Sequence, residues 1–141
     1  MQPSKEYYEL IDAYKIIHQE EGKFRGISLT PLVPTLVNLT KENNCKTLLD
    51  YGCGKAIPYD KNKCNEMGLK NTVQELCNIK EFYLYDPAYE KYSTLPDKKY
   101  DIVICTDVLE HIAEQDINYV LTKILSYSNK IVFLNISCQP A

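Results

Sequence analysis

An α/β fold built on a parallel sheet is what this sequence predicts. Short apolar runs alternate with helix-length segments along the chain, and strands separated in this way pair in parallel through right-handed crossovers. One run, 101–105, is almost wholly apolar, as a strand covered on both faces should be. The suggestive polar residues fall just after the runs, where sheets of this class hold their ligands: Asp50 to Gly54, Asp86, and Thr106 to His111.

Tyr7, Leu10, Ile11, Tyr14 and Ile17 recur at the three-and-four spacing of one helix face. Residues 21–26, with glycines at 22 and 26, break that first helix. A second helix opens at Pro31 or Pro34, carries Leu32, Val33, Leu36, Val37 and Leu39, and closes at Asn43 and Asn44. Residues 47–51 form a buried strand that turns sharply at Gly52-Cys53-Gly54. Residues 55–79 carry the least signal, and 71–77 are their best helical piece. A second strand, 81–85, stops at Asp86-Pro87, and 101–105 is the third. Ile117, Val120, Leu121, Ile124 and Leu125 make a helical stripe before a fourth strand at 130–136. These elements add up to a Rossmann-like domain: a reduced, mostly parallel sheet of about four strands with flanking helices, ordered second, first, third, fourth.

The 141 residues make one domain, 45% hydrophobic and 25% charged, a composition that excludes a disordered or collagen-like chain. Such a chain buries roughly 68% of its unfolded surface, enough for a core without staples. The six cysteines include no C-x-x-C pair, so they spell out neither a metal site nor a disulfide framework and read as reduced thiols. Polar first residues and the lack of an apolar run near ~20 residues predict neither a signal peptide nor a membrane span, hence a cytoplasmic protein. A net charge of -3 supplies no basic footprint, and only Arg25 among the 16 basic residues is an arginine able to clamp phosphate or guanine in bidentate fashion. Nucleic acid therefore ranks behind a small molecule as partner.

Gly52 and Gly54 either leave backbone bare for a ligand or serve only to pack a helix on the sheet. Asp86, at a strand end, either accepts hydrogen bonds from both hydroxyls of a ribose or makes a turn before Pro87. A dinucleotide fingerprint needs a third glycine where Ile57 stands. With Asp50 ahead of the first glycine, the pattern suits a nucleoside ligand that has no pyrophosphate.

Leu48-Leu49-Asp50-Tyr51-Gly52-Cys53-Gly54-Lys55, then Tyr85-Asp86-Pro87-Ala88, then the run 100–111 ending in Thr106-Asp107-Val108-Leu109-Glu110-His111, together resemble class I S-adenosylmethionine-dependent methyltransferases. The wording is nearest to the small methyltransferase-like proteins of bacteriophages. The resemblance implies S-adenosylmethionine as cofactor, S-adenosylhomocysteine as product and a small-molecule acceptor. It sets Gly52, Cys53 and Gly54 against the methionine portion, with Asp50 holding the loop or, through water, the ammonium. Asp86 takes the ribose, Pro87 and Ala88 the adenine side, and Leu95-Pro96 packs on adenine. Thr106 and Asp107 stand near the sulfonium and the amine, unless Asp107 only caps the next turn.

His111 is the candidate base for a hydroxyl acceptor, since imidazole suits proton removal near neutral pH, although a lone His at a helix start also serves as a structural hydrogen-bonder. His18 is explained by the dipole of the first helix. Lys23 or Arg25 meets the methionine carboxylate or belongs to a solvated linker. Two departures from the family stand out. Only 14 residues separate Asp86 from Asp101, too few for the usual helix and strand, so the outer strand is expected to be missing. The sequence also stops soon after the fourth strand, where relatives add an antiparallel pair, which leaves 131–136 on an open edge. A homodimer through that edge, or its covering by the amino-terminal segment, is expected.

Three other readings stay open: a cofactor-binding module without transfer activity, an enzyme that cleaves S-adenosylmethionine, and a nucleic-acid methyltransferase. The last is disfavoured because Cys105-Thr106-Asp107-Val108 stands where amino-methylating enzymes carry Asn/Asp-Pro-Pro-aromatic.

Overall fold

A computed structural model describes residues 1–138. Four strands, β1 (Thr47–Tyr51), β2 (Glu81–Tyr85), β3 (Tyr100–Thr106) and β4 (Ser128–Asn135), form one all-parallel sheet in the order β2-β1-β3-β4. Four α-helices flank it: α1 (Lys5–Ile17), α2 (Val33–Glu42), α3 (Val73–Leu76) and α4 (Glu114–Ser126). The α/β, Rossmann-like architecture and its strand order are those the sequence predicts.

The central strands are apolar on both faces because each face carries its own core. Leu48, Ile102 and Ile104 pack with Leu36 of α2 on one side, while Leu49, Val103 and Cys105 pack with Tyr7 of α1 and Val120 and Ile124 of α4 on the other. Leu36, Leu48, Leu49, Ile102, Val103 and Ile104 are all fully buried, which is why no polar alternation marks β1 or β3. Asp101 fixes the start of the sheet. Its carboxylate accepts from the Lys46 N–H (2.8 Å) and the Thr47 N–H (3.3 Å), and its own N–H donates to Thr47 Oγ1 (2.8 Å).

Between Asp86 and β3 the chain makes only a one-turn 3-10 helix at Glu90–Tyr92, so β2 pairs with β1 alone and the expected loss of the outer strand is borne out. At the opposite edge, β4 pairs only with β3. The amino-terminal segment does not cover it. Ser4 instead donates from its N–H and Oγ to the two carboxylate oxygens of Asp116 (2.7 and 2.6 Å), which ties α1 to the first turn of α4. An N-terminal helix so anchored lies over the carboxyl ends of the strands, where the polar residues gather. All six cysteines are free thiols. Among the described residues no helix is long and apolar enough to cross a membrane.

Candidate functional site

A cavity of about 550 Å³ opens at the carboxyl ends of β1, β2 and β3. Nine of the residues that the sequence singles out line it: Asp50, Gly52, Cys53 and Gly54 at the end of β1 and in the loop beyond it, Asp86 and Pro87 after β2, and Thr106, Asp107 and His111 at the end of β3 and beyond. They come together because parallel strands deliver their ends to one side of the sheet.

Of the two uses the sequence leaves open for the glycines, close packing within the chain is the one seen here. Gly52 (φ 100°) and Gly54 (φ 59°) are both left-handed, but the space a Cβ would need is taken by the protein itself. At Gly52 a Cβ would overlap Val108 Cγ2, and at Gly54 it would overlap the Phe24 carbonyl oxygen. The bare backbone lets two other segments close on the β1 loop, and the loop's remaining surface faces the cavity. A glycine in a sequence announces close approach without saying what approaches. Gly52→Ala is expected to cost about 1–3 kcal/mol through strained backbone and overlap. Val108→Ala in the same chain should return about 1 kcal/mol by removing the overlap, measured as coupling in a double-mutant cycle of urea midpoints.

The segment closing on Gly54 is a strap, residues 18–26, running from the end of α1 across the cavity. Lys55 holds it from both ends of its own residue. The Lys55 N–H donates to the Phe24 carbonyl (2.6 Å), and Nζ donates to the carbonyls of Glu20 (3.1 Å) and Lys23 (2.5 Å). The Ile57 N–H adds a bond to the Arg25 carbonyl (3.1 Å). Arg25 and Lys23 both line the cavity, but the Arg25 guanidinium is already paired with Glu66 (3.0 Å).

Three carboxylates face this space. Asp50, 3% exposed, accepts from the Tyr59 hydroxyl at Oδ2 (2.7 Å), while its buried Oδ1 has no partner among the described residues. Burial pushes its pKa up to about 7, the Tyr59 hydrogen bond opposes this, and the charge of Asp86 adds to it. Asp50 thus does not hold the loop backbone, one of its two expected roles, and its free oxygen awaits a donor. Asp86 does make the turn before Pro87, since Oδ1 accepts from the Ala88 N–H (2.9 Å), but Oδ2 also takes the Gly54 N–H (2.9 Å) and so joins the β2 loop to the β1 loop. Each oxygen keeps a second lone pair. Asp107 stands in left-handed backbone (φ 55°), fixed by its N–H donating to the Asn135 carbonyl of β4 (3.0 Å), and it does not cap the following turn. Strain of this kind at a strand end gathers at ligand sites. Beside it Thr106 is buried.

His111 ends the 3-10 turn Leu109–His111, its side chain 50% exposed and its ring edge-on to Tyr14 at 6.0 Å. Its Nε2 lies 3.9 Å from Glu110 Oε1, and neither Glu110 oxygen has a hydrogen-bond partner among the described residues. His18 stands at the carboxyl end of α1, as the sequence places it, but the dipole of the first helix does not account for its surroundings. It is buried, and burial lowers its pKa, with Asp86 pulling the other way and Lys55 reinforcing the shift. Leu95 is exposed, and neither it nor Pro96 lines the cavity. The adenine contact expected of them is not available in this arrangement.

The sequence reading gave no role to Lys55, Tyr59 or Glu110. Tyr59 is reached by a 3-10 turn, Ile57–Tyr59, too short for any periodic signal. Lys55 stands directly after the glycine turn, a position that could have drawn attention to it. Among the described residues no cluster of His, Cys, Asp or Glu is arranged to hold a metal ion. Comparison with protein families, with curated proteins and with solved structures finds no match for this chain, so the reading of the site rests on its own geometry.

Proposed function

We propose that the cavity binds S-adenosylmethionine and that the chain transfers its methyl group to a small, uncharged acceptor. One observation carries the reading: three carboxylates, Asp50, Asp86 and Asp107, converge on one cavity, and the most buried of them has an oxygen with no partner among the described residues. Such a site favours a cationic guest, and an ammonium beside Asp50 Oδ1 supplies the missing donor. The size also fits, since about 550 Å³ lies within the roughly 300–1,000 Å³ of small-molecule sites.

When bound, the cofactor supplies an electrophilic methyl: the bond to sulfur breaks as the acceptor's oxygen or nitrogen forms its own bond to carbon, and the electron pair stays on sulfur as a thioether. The protein's part is placement and the exclusion of water. Asp86 offers lone pairs to the ribose, and Pro87 and Ala88 border it. The strap lines one side of the cavity. The wall between α1 and α4 is apolar, built of Tyr7, Leu10, Ile11, Tyr14, Ile112 and Val120, with no lysine or arginine in it. Burial pushes the Tyr7 phenol up to about 12, so it stays neutral. An acceptor seated there is small and carries no phosphate. For a hydroxyl acceptor His111 takes the proton, and the Glu110 carboxylate steadies the imidazolium that results.

Titration calorimetry with S-adenosylhomocysteine tests the binding, and a labelled-methyl assay over neutral phenols, alcohols and amines tests transfer. Asp86→Ala is expected to weaken binding by about 1–3 kcal/mol, roughly five- to 150-fold. Part of any loss of melting temperature in that variant reflects the Gly54 and Ala88 N–H groups left without an acceptor. Binding without product from any acceptor would reduce the protein to a cofactor-binding module. Methylthioadenosine formed without an acceptor would mark a cleaving enzyme. Labelled methyl on bulk nucleic acid would name a nucleic-acid acceptor instead. No binding at all would overturn the reading.

A further inference from the structure

His18 caps the carboxyl end of α1 and is 8% exposed, in the cavity wall. Its ring is stacked on Tyr89 at 4.9 Å with the planes 19° apart, and Phe24 meets it at 4.6 Å from another side, so its orientation is fixed by two aromatic neighbours. Lys55 Nζ lies 3.5 Å from Nδ1. An ammonium has only donors to offer, so Nδ1 is the accepting nitrogen and the proton of the neutral ring sits on Nε2. Nε2 faces Asp86 Oδ2 at 4.0 Å, too far for a hydrogen bond. The two groups therefore confront each other across a gap, one a donor and the other a carboxylate oxygen with a lone pair left after the Gly54 N–H is served.

An oxygen set about 2.8 Å from each would close the gap by accepting from Nε2 and donating to Oδ2. Among ligand groups a hydroxyl does both. An ammonium only donates, and a carboxylate or phosphate oxygen only accepts. We propose that His18 is a second ribose-binding residue, its Nε2–H and the Asp86 carboxylate gripping one hydroxyl of the bound nucleoside between them. This assignment rests on the cofactor reading above and extends it. His18 belongs to the amino-terminal helix and Asp86 to the β2 loop, so the shared hydroxyl joins α1 to the sheet and makes the site selective for ribonucleosides over deoxynucleosides. Lys55 and Tyr89 act through His18 as positioning residues, the first setting the tautomer and the second the plane of the ring.

The experiment compares S-adenosylhomocysteine with its 2′-deoxy and 3′-deoxy analogues by calorimetry on the full chain. The wild type is expected to bind the analogue lacking the gripped hydroxyl about tenfold more weakly than the parent, the value of a hydrogen bond to a charged partner. In His18→Ala that penalty should fall to about threefold or less, and His18→Gln, whose amide N–H donates from a similar position, should restore most of it. If His18→Ala does not fold, His18→Asn replaces it, since the shorter amide does not reach Asp86. A variant that weakens the parent and both analogues by one common factor has lost only packing, and that result would overturn the assignment while leaving the cofactor reading intact. A wild type that does not bind S-adenosylhomocysteine overturns both.

Discussion

Gly54→Ala should destabilise the protein by about 2–4 kcal/mol and release the strap from the mouth of the cavity. The left-handed backbone there (φ 59°) costs an alanine about 1–2 kcal/mol. The rest comes from the Phe24 carbonyl oxygen, which occupies the place of the new methyl. A side chain would swing aside, but a carbonyl moves only with its chain, so the strap must lift. Lifting it breaks the bond from the Lys55 N–H to Phe24 and strains the one from Ile57 to Arg25, each worth about 1 kcal/mol net. Gly68→Ala is the control. Its φ of 81° carries a similar backbone cost, but no atom lies within 4 Å of the added methyl. Urea unfolding of both variants separates the two contributions: Gly54→Ala should fall below Gly68→Ala by about 1–2 kcal/mol and should also bind S-adenosylhomocysteine more weakly, because Gly54 donates to Asp86. Equal losses would mean that the strap is not held against the glycine.

The strands were legible because their chemistry is severe. β1 and β2 end where Gly52 and Asp86-Pro87 make continuation costly, and a strand buried on both faces tolerates little but apolar residues, as Ile102 to Cys105 show. Once the strand order follows from right-handed crossovers, the meeting of Asp50, Asp86 and Asp107 follows too, since topology alone delivers their carboxyl ends to one place. Residues 55–71 were opaque for a different reason. They fold as 3-10 turns of three and four residues, held by distant partners such as Thr30 Oγ1 on the Met67 carbonyl (2.9 Å), and no local periodicity records that. One signal there was readable and went unused: Thr72 and Glu75 form a reciprocal capping box, which fixes the start of α3 at Val73. The burial of His18 was not legible because it depends on Tyr89 and Phe24, residues that only the folded chain brings to it.

Cofactor affinity should rise with pH through neutrality, and Asp50 is the reason. Its carboxyl, ordinarily near 3.8, is pushed up to about 7 in the folded chain by burial, with the charge of Asp86 adding to the shift and the Tyr59 hydrogen bond opposing it. A folded value above the unfolded one means that the folded state holds the proton more tightly. The resulting stability is fully present below about pH 4 and is lost as pH rises through 7, on the order of 4 kcal/mol in all. Asp50→Asn, which cannot ionise, should therefore flatten the stability profile between pH 4 and 7. An ammonium placed at Oδ1 reverses the preference, since it stabilises the carboxylate and drives the proton off. Binding of S-adenosylhomocysteine below pH 7 should thus release a proton, visible as a dependence of the calorimetric enthalpy on the buffer's ionisation enthalpy. Affinity should increase about tenfold between pH 5.5 and 7 and level off above. His18, whose pKa burial lowers from 6.5, is neutral through the upper part of that range and adds little to the slope there. The Asn variant should bind more weakly and with no proton released. A pH-independent affinity in the wild type would place the ammonium away from Asp50 and leave that carboxyl a structural partner of Tyr59 alone.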